Sequence, residues 1–133
     1  MSELVDELIR NAKMPDNFLF QNLIVYQRSL AFSIKVCKLA SDFPIKYSRI
    51  RDQLIGASTS IPLNIAEGSG RKSVKERTNF YNISRSSIFE CVPLFEICKN
   101  LGLISSDDST VLNQEAVELS KMISKFIASL SIS

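Results

Sequence analysis

Apolar residues recur at helical spacing along most of the chain, in segments that short polar stretches and Pro- or Gly-containing stretches separate. Apolar positions three and four residues apart are typical of amphipathic helices. Four long segments of this kind predict four long helices. A shorter one, residues 3–13, predicts an extra helix that stops at Met14-Pro15-Asp16-Asn17. We therefore expect residues 1–17 to form an N-terminal extension and residues 18–133 to form one helical domain.

Capping and breaker signals set the helix limits. The first three helices are expected over about residues 22–41, 45–67 and 74–100, and the fourth from residue 105 onward. Gly68-Ser69-Gly70 is expected to end the second helix, and the capping box from Ser73 to Glu76 to begin the third. Pro62 should bend the second helix, and Pro93 predicts a kink or a break in the third. Short connections between such helices predict an all-α, up-down-up-down four-helix bundle.

The first helix is apolar on two opposite faces. One face carries Leu23, Tyr26, Leu30, Ile34 and Cys37, and the other carries Val25, Phe32, Val36 and Leu39. One face can pack on the core of the domain, whereas the other needs either the N-terminal segment or another subunit, which predicts a homo-oligomer. Between the two faces lie Arg28, Lys35 and Lys38, a narrow basic line that we expect to be open to solvent and that is a second candidate surface for nucleic-acid contact.

The amino-acid composition limits the catalytic and metal-binding chemistry that the side chains can perform. The chain of 133 residues has no His, which excludes imidazole general bases, Ser/His/Asp and Cys/His pairs and most zinc sites, so we expect no catalytic site, no metal and no cofactor. Its 3 Cys are odd in number and include no CxxC motif, which predicts reduced core residues. No secretion signal or membrane-length apolar run is evident, and we expect a cytoplasmic protein without a membrane partner.

Charge is uneven along the chain, although the net charge is only +2. Residues 28–85 hold 11 basic and 4 acidic residues, whereas the segments on either side are net acidic. A basic block of this kind indicates an anionic partner, and the alternative is that the helices simply carry solvated charges of both signs.

A polar stripe and a basic cluster lie next to each other in the sequence. Helical spacing places Gln53, Ser60, Asn64 and Glu67 on one line, which is either a hydrogen-bonded seam against another helix or a solvated edge. Arg71, Lys72, Lys75 and Arg77 follow at the start of the third helix, where backbone N–H groups also attract anions. This cluster is the best candidate for nucleic-acid contact, and the alternative is a solvated turn.

One stretch of the sequence resembles a known family. The main stretch is Ser60-Ile61-Pro62-Leu63-Asn64-Ile65-Ala66-Glu67-Gly68-Ser69-Gly70-Arg71. It is preceded by Leu23-Ile24-Val25-Tyr26-Gln27 and followed by Leu101-Gly102-Leu103-Ile104. Together these stretches resemble the 23S rRNA intervening-sequence proteins. The resemblance covers about residues 18–130. It makes Gln53, Ser60, Asn64, Glu67, Gly68 and Gly70 residues of the family motif.

The resemblance implies a left-handed bundle that assembles as a ring, typically a homopentamer, and implies no catalysis. A similar fold serves as the accessory protein of diversity-generating retroelements, where a basic pentamer binds a reverse transcriptase and nucleic acid. The sequence departs from the family at Ile55-Gly56, where members usually carry an Arg-Arg pair. Two hypotheses follow: a homo-oligomer that binds structured RNA or DNA, or a protein-interaction scaffold that binds a partner such as a reverse transcriptase.

Overall fold

The computed structural model describes residues 18–130, and within this range the regular elements are helices without any strand. Four long helices make up the fold: α1 (Ile24–Ala40), α2 (Ser48–Ser69), α3 (Val74–Asn100) and α4 (Ser106–Leu130). Single 3-10 turns, Leu19–Asn22 and Ile45–Tyr47, precede α1 and α2. The all-α class and the four long helices are thus confirmed. The extra helix predicted over residues 3–13, and with it the division of the chain at residue 17, lies outside the described residues.

Consecutive helices pack against each other, and α4 also contacts α1, although less extensively than α2 does. Each helix contributes one apolar stripe to a single core, as expected for an amphipathic bundle. The fully buried large side chains of the core include Val36, Leu54, Ile61, Ile65, Ile88, Phe95, Leu112 and Ile123. The up-down-up-down order and the left-handed twist stay predictions.

Both ends of α3 are fixed by local hydrogen bonds. The Ser73 hydroxyl accepts the Glu76 N–H at 3.1 Å, as predicted, while the Glu76 carboxylate accepts from that same hydroxyl at 3.2 Å. At the other end Gly102 has a φ of 74°, and the Leu103 N–H donates to the Cys98 carbonyl at 2.9 Å. These features form a Schellman motif, for which a glycine suits the left-handed position. The sequence signals at this helix therefore predicted both ends correctly.

The limits of α2 differ from the prediction. Ile45–Tyr47 form a 3-10 turn, closed by the Tyr47 N–H on the Pro44 carbonyl at 2.9 Å, and α2 begins only at Ser48. At the other end α2 continues through Gly68 to Ser69, and Gly70 has a right-handed φ of −85°. The expectation that Gly68-Ser69-Gly70 ends the helix was therefore wrong for Gly68, which has a packing role instead.

Neither internal proline interrupts its helix. Pro93 lies within the continuous α3, which contradicts a break but leaves the alternative, a kink, as a prediction. Pro62 lies within the continuous α2, and the predicted bend there also stays a prediction. Proline removes only one hydrogen bond of the helical ladder, and tertiary packing on both sides of that point holds the helix together. Pro93 also lies on the exposed side of α3, where water can reach the backbone.

Candidate interaction surfaces

The basic cluster lies at the turn between α2 and α3. Two of its four residues, Arg71 and Arg77, have partners within the chain. An Arg71 Nη is 2.6 Å from a Glu67 carboxylate oxygen, and its guanidinium lies over the Phe80 ring, 4.8 Å from the centroid. The Arg77 Nε donates to the Arg71 backbone carbonyl at 2.7 Å. These contacts fix the shape of the turn. Arg71 and Arg77 therefore have a structural use that the sequence pattern did not indicate.

The two lysines of the turn have a different environment. Lys72 and Lys75 are exposed, and among the described residues neither forms an ion pair. Lys72 lies just before the Ser73 cap and Lys75 lies in the first turn of α3, next to the N–H groups of the helix start. Of the four predicted residues, the lysines are thus the pair that is available to an anion in solution.

The basic line on α1 faces carboxylates of α4. An Arg28 Nη is 3.4 Å from a Glu118 carboxylate oxygen, and the Lys35 Nζ is 2.7 Å from a Glu115 carboxylate oxygen. Lys38, the third member, is exposed at the edge of a groove between α1 and α2. Arg28 and Lys38 are exposed, as expected, and Lys35 is partly buried. The sequence could not show that α4 places acidic residues opposite Arg28 and Lys35.

The polar stripe of α2 separates into two parts. The Ser87 hydroxyl of α3 donates to the Ser60 hydroxyl at 2.8 Å, and the Asn64 amide donates to the same hydroxyl at 2.9 Å. Nearby, the buried Ser84 hydroxyl donates to the Ile61 carbonyl at 2.8 Å. This part is a hydrogen-bonded seam between α2 and α3. The remaining members of the stripe, Gln53 and Glu67, are exposed, and Glu67 instead forms the ion pair with Arg71.

Gly68 allows α2 and α3 to approach closely. A Cβ at this position would lie 2.8 Å from the Tyr81 Cε1 and 2.9 Å from the Phe80 Cβ, so any side chain would force the helices apart. The Tyr81 hydroxyl lies 2.9 Å from the Ser69 hydroxyl, which anchors the ring over the glycine. Tyr81, which the sequence pattern did not single out, is 2% exposed.

An apolar groove runs between the outer sides of α1 and α2, and we call it the α1–α2 groove. Its lining comprises Leu30, Ser33, Ile34, Cys37, Lys38, Ser41, Thr59, Pro62 and Leu63. Leu63 is 65% exposed, and Ile34 and Cys37 are only half-buried. The α1 part of this lining belongs to the second apolar face that the sequence predicted. Leu63 of α2 extends this apolar surface, and the sequence pattern did not single it out.

The titratable groups of the interior give no sign of catalysis. Burial, with a smaller contribution from Glu90, raises the pKa of the Cys91 thiol to about 12, and burial also raises the pKa of Cys98. Thiols held neutral in this way are poor nucleophiles. Within residues 18–130 no group of Cys, Asp and Glu side chains is arranged to hold a metal ion. Over the same residues, no helix has both the length and the apolar character needed to cross a membrane.

Comparison with known proteins identifies the family. A search of the curated proteins found no match. A crystal structure of a protein of unknown function from the S23 ribosomal protein family of Bacteroides thetaiotaomicron is similar, with a TM-score of 0.71 and 22% identity over 78% of this chain and 98% of that one. At this identity the likeness shows a shared fold. The family model of the 23S rRNA-intervening sequence proteins matches residues 21–125. The chain therefore belongs to the family of 23S rRNA-intervening sequence proteins.

Proposed function

We propose that the protein is a non-catalytic, homo-oligomeric scaffold whose subunits join through the α1–α2 groove. The observation that supports this proposal is the apolar surface that a single chain leaves uncovered, with Leu63 65% exposed beside Ile34 and Cys37. Removing such apolar surface from water favours association. If the groove receives a different surface of the next copy, the contacts are head-to-tail and can close into a ring. A pentameric ring is the assembly that we propose.

The test changes the most exposed apolar residue of the groove. Leu63→Asp places a charge in the apolar surface, whereas Phe89→Asp is a matched control, because Phe89 is 64% exposed but lies on α3, away from the groove. Light scattering is expected to give the mass of a pentamer for the parent and for the Phe89 variant, and that of a monomer for the Leu63 variant. Circular dichroism checks that all three are folded.

A thiol reagent provides a second measurement of the same interface. Cys37 lines the groove, so the assembly should protect it and the Leu63→Asp variant should react faster at this residue. A monomeric parent would contradict the proposal. Dissociation caused by Phe89→Asp but not by Leu63→Asp would instead indicate an interface on α3.

A second function, nucleic-acid contact, is favoured by one observation at the α2–α3 turn. Lys72 and Lys75 are exposed beside the start of α3 and carry charge that no carboxylate in the described part of the chain neutralises by an ion pair. A ring would repeat this pair in every subunit, and repeated weak contacts on one anionic polymer raise the overall affinity. Such contacts to phosphates would not depend on nucleotide sequence.

The nucleic-acid test compares two double variants with the same loss of charge. Lys72→Gln with Lys75→Gln removes the exposed lysines of the turn, and Lys99→Gln with Lys121→Gln removes two exposed lysines elsewhere. In filter binding with an RNA hairpin and with duplex DNA, the first variant is expected to lose about tenfold or more in affinity at low salt, and to show a shallower salt dependence.

The control variant should resemble the parent in this assay. Equal losses in both variants would mean that only net charge matters. A parent that binds neither probe at low salt would contradict nucleic-acid contact and favour the alternative, a scaffold for a protein partner such as a reverse transcriptase.

A further inference from the structure

A short turn before α1 holds two apolar side chains out in solvent. Phe18 and Leu19, at the start of the 3-10 turn Leu19–Asn22, are 75% and 86% exposed, and we call this pair the apolar knob. The Phe18 N–H donates to the Gln21 side-chain carbonyl at 2.8 Å, and the Gln27 side-chain amide donates to the Gln21 backbone carbonyl at 3.0 Å. These hydrogen bonds tie the turn to its own backbone and to α1, so the knob is held in a fixed place.

Aromatic rings join the knob to the outer face of α1. The Phe18 and Phe20 rings stack with their centroids 5.9 Å apart, and the Phe20 ring meets the Tyr26 ring edge-on at 4.9 Å. Helical spacing puts Tyr26 on the same face of α1 as Leu30 and Ile34, which line the α1–α2 groove. The knob and the groove are therefore two parts of one apolar surface along α1.

This surface carries very little charge. Residues 18–27 contain no Asp, Glu, Lys or Arg, although such residues make up 23% of the chain. Among the described residues that line the groove, Lys38 alone is charged, and it lies at the edge. A contact between knob and groove therefore takes few charges out of water, which is a costly step in association. The centres of protein interfaces are likewise depleted in charged residues and enriched in aromatic ones.

We propose that the apolar knob of one copy inserts into the α1–α2 groove of the next copy. The inference rests on the proposed assembly through this groove, and it names the surface that the groove receives. The knob cannot reach the part of the groove around Cys37 in its own chain, because the turn lies beside the first turn of α1 and α1 rises about 20 Å from Ile24 to Cys37. Aromatic side chains dominate the energetics of many interfaces, which makes Phe18 the anchor of this contact.

The other 3-10 turn provides a matched control. Ile45 of the turn Ile45–Tyr47 is 87% exposed, as much as Leu19 is. Its surroundings differ, because the next residue is Lys46, whose ammonium lies 5.2 Å from the centroid of the Tyr47 ring. A charge thus lies directly beside Ile45, whereas the knob has an apolar ring beside it. We expect Ile45 to stay outside the contact between copies.

A disulfide cross-link in the full chain tests the contact, because Cys37 already lines the groove. Leu19→Cys supplies a partner on the knob, and Ile45→Cys is the control. After mild oxidation, peptide mapping is expected to find residue 19 bonded to Cys37. The two Cα atoms of a disulfide lie within about 7 Å of each other, so this bond must join two copies. The Ile45 variant should form no bond between chains.

Light scattering gives an independent measurement. Leu19→Asp puts a charge on the knob and is expected to reduce the mass to that of a monomer, as Leu63→Asp does at the groove, whereas Ile45→Asp should keep the mass of the parent. Circular dichroism checks that each variant is folded.

The outcomes separate this inference from the proposed assembly. If Leu63→Asp dissociates the assembly and Leu19→Asp does not, the groove receives another surface, so the inference is wrong while the assembly stands. Dissociation by Ile45→Asp as well would also overturn it, because the knob would then have no special part. So would a bond between the residues 19 of two copies, which would place two knobs together. A monomeric parent contradicts the assembly itself and the inference with it.

Discussion

The α2–α3 contact and the α1–α4 contact stabilise the same bundle by different means. Between α2 and α3 the backbones approach closely at Gly68, and serine hydroxyls such as that of Ser84 bond across the contact. Between α1 and α4 the helices lie further open, and ion pairs of half-exposed side chains span them. In a closely packed contact, the addition or removal of a single atom changes the stability of the fold, whereas exposed ion pairs contribute little to that stability. We therefore expect substitutions at the first contact to cost far more than substitutions at the second.

Thiol reactivity should give the largest difference. Cys91 lies fully buried in α3, and burial raises the pKa of its thiol to about 12, so very little of it is thiolate near pH 8. If the Leu63→Asp variant is monomeric, as proposed, Cys37 is accessible there, and we expect a thiol reagent to modify Cys37 long before Cys91. Mass spectrometry of timed samples measures both. Similar rates of modification would show that Cys91 in the core becomes accessible as readily as Cys37 on the surface of α1.

A pair of glycine substitutions tests the close approach directly. Gly68→Ala adds a methyl group where Tyr81 and Phe80 leave no room, and we expect it to lower the free energy of unfolding by about 1–3 kcal/mol. Gly56→Ala is the control on the same helix, because no atom lies within 4 Å of its added Cβ. There the better helix propensity of alanine should raise stability by about 0.5–1 kcal/mol. Urea unfolding measures the free energy of unfolding of both variants. If both substitutions changed it in the same direction, the space at Gly68 would not be what distinguishes the two glycines.

The hydroxyl bonds of the α2–α3 contact should have a smaller effect. Ser84→Ala removes the buried bond to the Ile61 carbonyl and is expected to cost about 1 kcal/mol. Ser41→Ala removes a bond of the same type, to the Lys38 carbonyl, on the exposed surface. Its expected cost is close to zero, because water replaces the lost partner. Equal losses in denaturant unfolding would mean that burial does not decide the contribution of these hydroxyls.

The ion pairs between α1 and α4 should have the smallest effect. Both partners of the Lys35–Glu115 pair are more than one third exposed, so Lys35→Met is expected to change the free energy of unfolding by about 0–1 kcal/mol. The small loss should shrink further in 0.5 M salt, since ions screen exposed charges. A loss larger than that of Ser84→Ala would reverse the ranking of the two contacts.

The sequence predicted the helices well because their signals are local. The Ser73 cap and the Gly102 signal at the end of α3 each depend on residues a few positions apart, and both appear as expected. The apolar stripe that each helix contributes to the core likewise follows from helical spacing alone.

The candidate surfaces were harder to predict because they depend on which helix lies opposite. Nothing near Arg28 in the sequence shows that Glu118, ninety positions later, neutralises it. Arg71 and Arg77 have local partners instead: Arg71 pairs with Glu67 and lies over the Phe80 ring, and Arg77 donates to the Arg71 carbonyl. Charge patterns thus located the cluster, but only the tertiary contacts separate its lysines from its arginines.

The absence of a side chain at Gly68 also restricts how α2 can slide along α3. A shift of one helical turn, about 5.4 Å, would place the residue four positions away opposite Tyr81. In one direction that residue is Asn64, whose side chain the space beside Tyr81 does not admit. In the other direction the position lies beyond Ser69, where α2 ends. The close contact at Gly68 therefore disfavours the register that would place Asn64 there, which the repeating apolar stripes would otherwise permit.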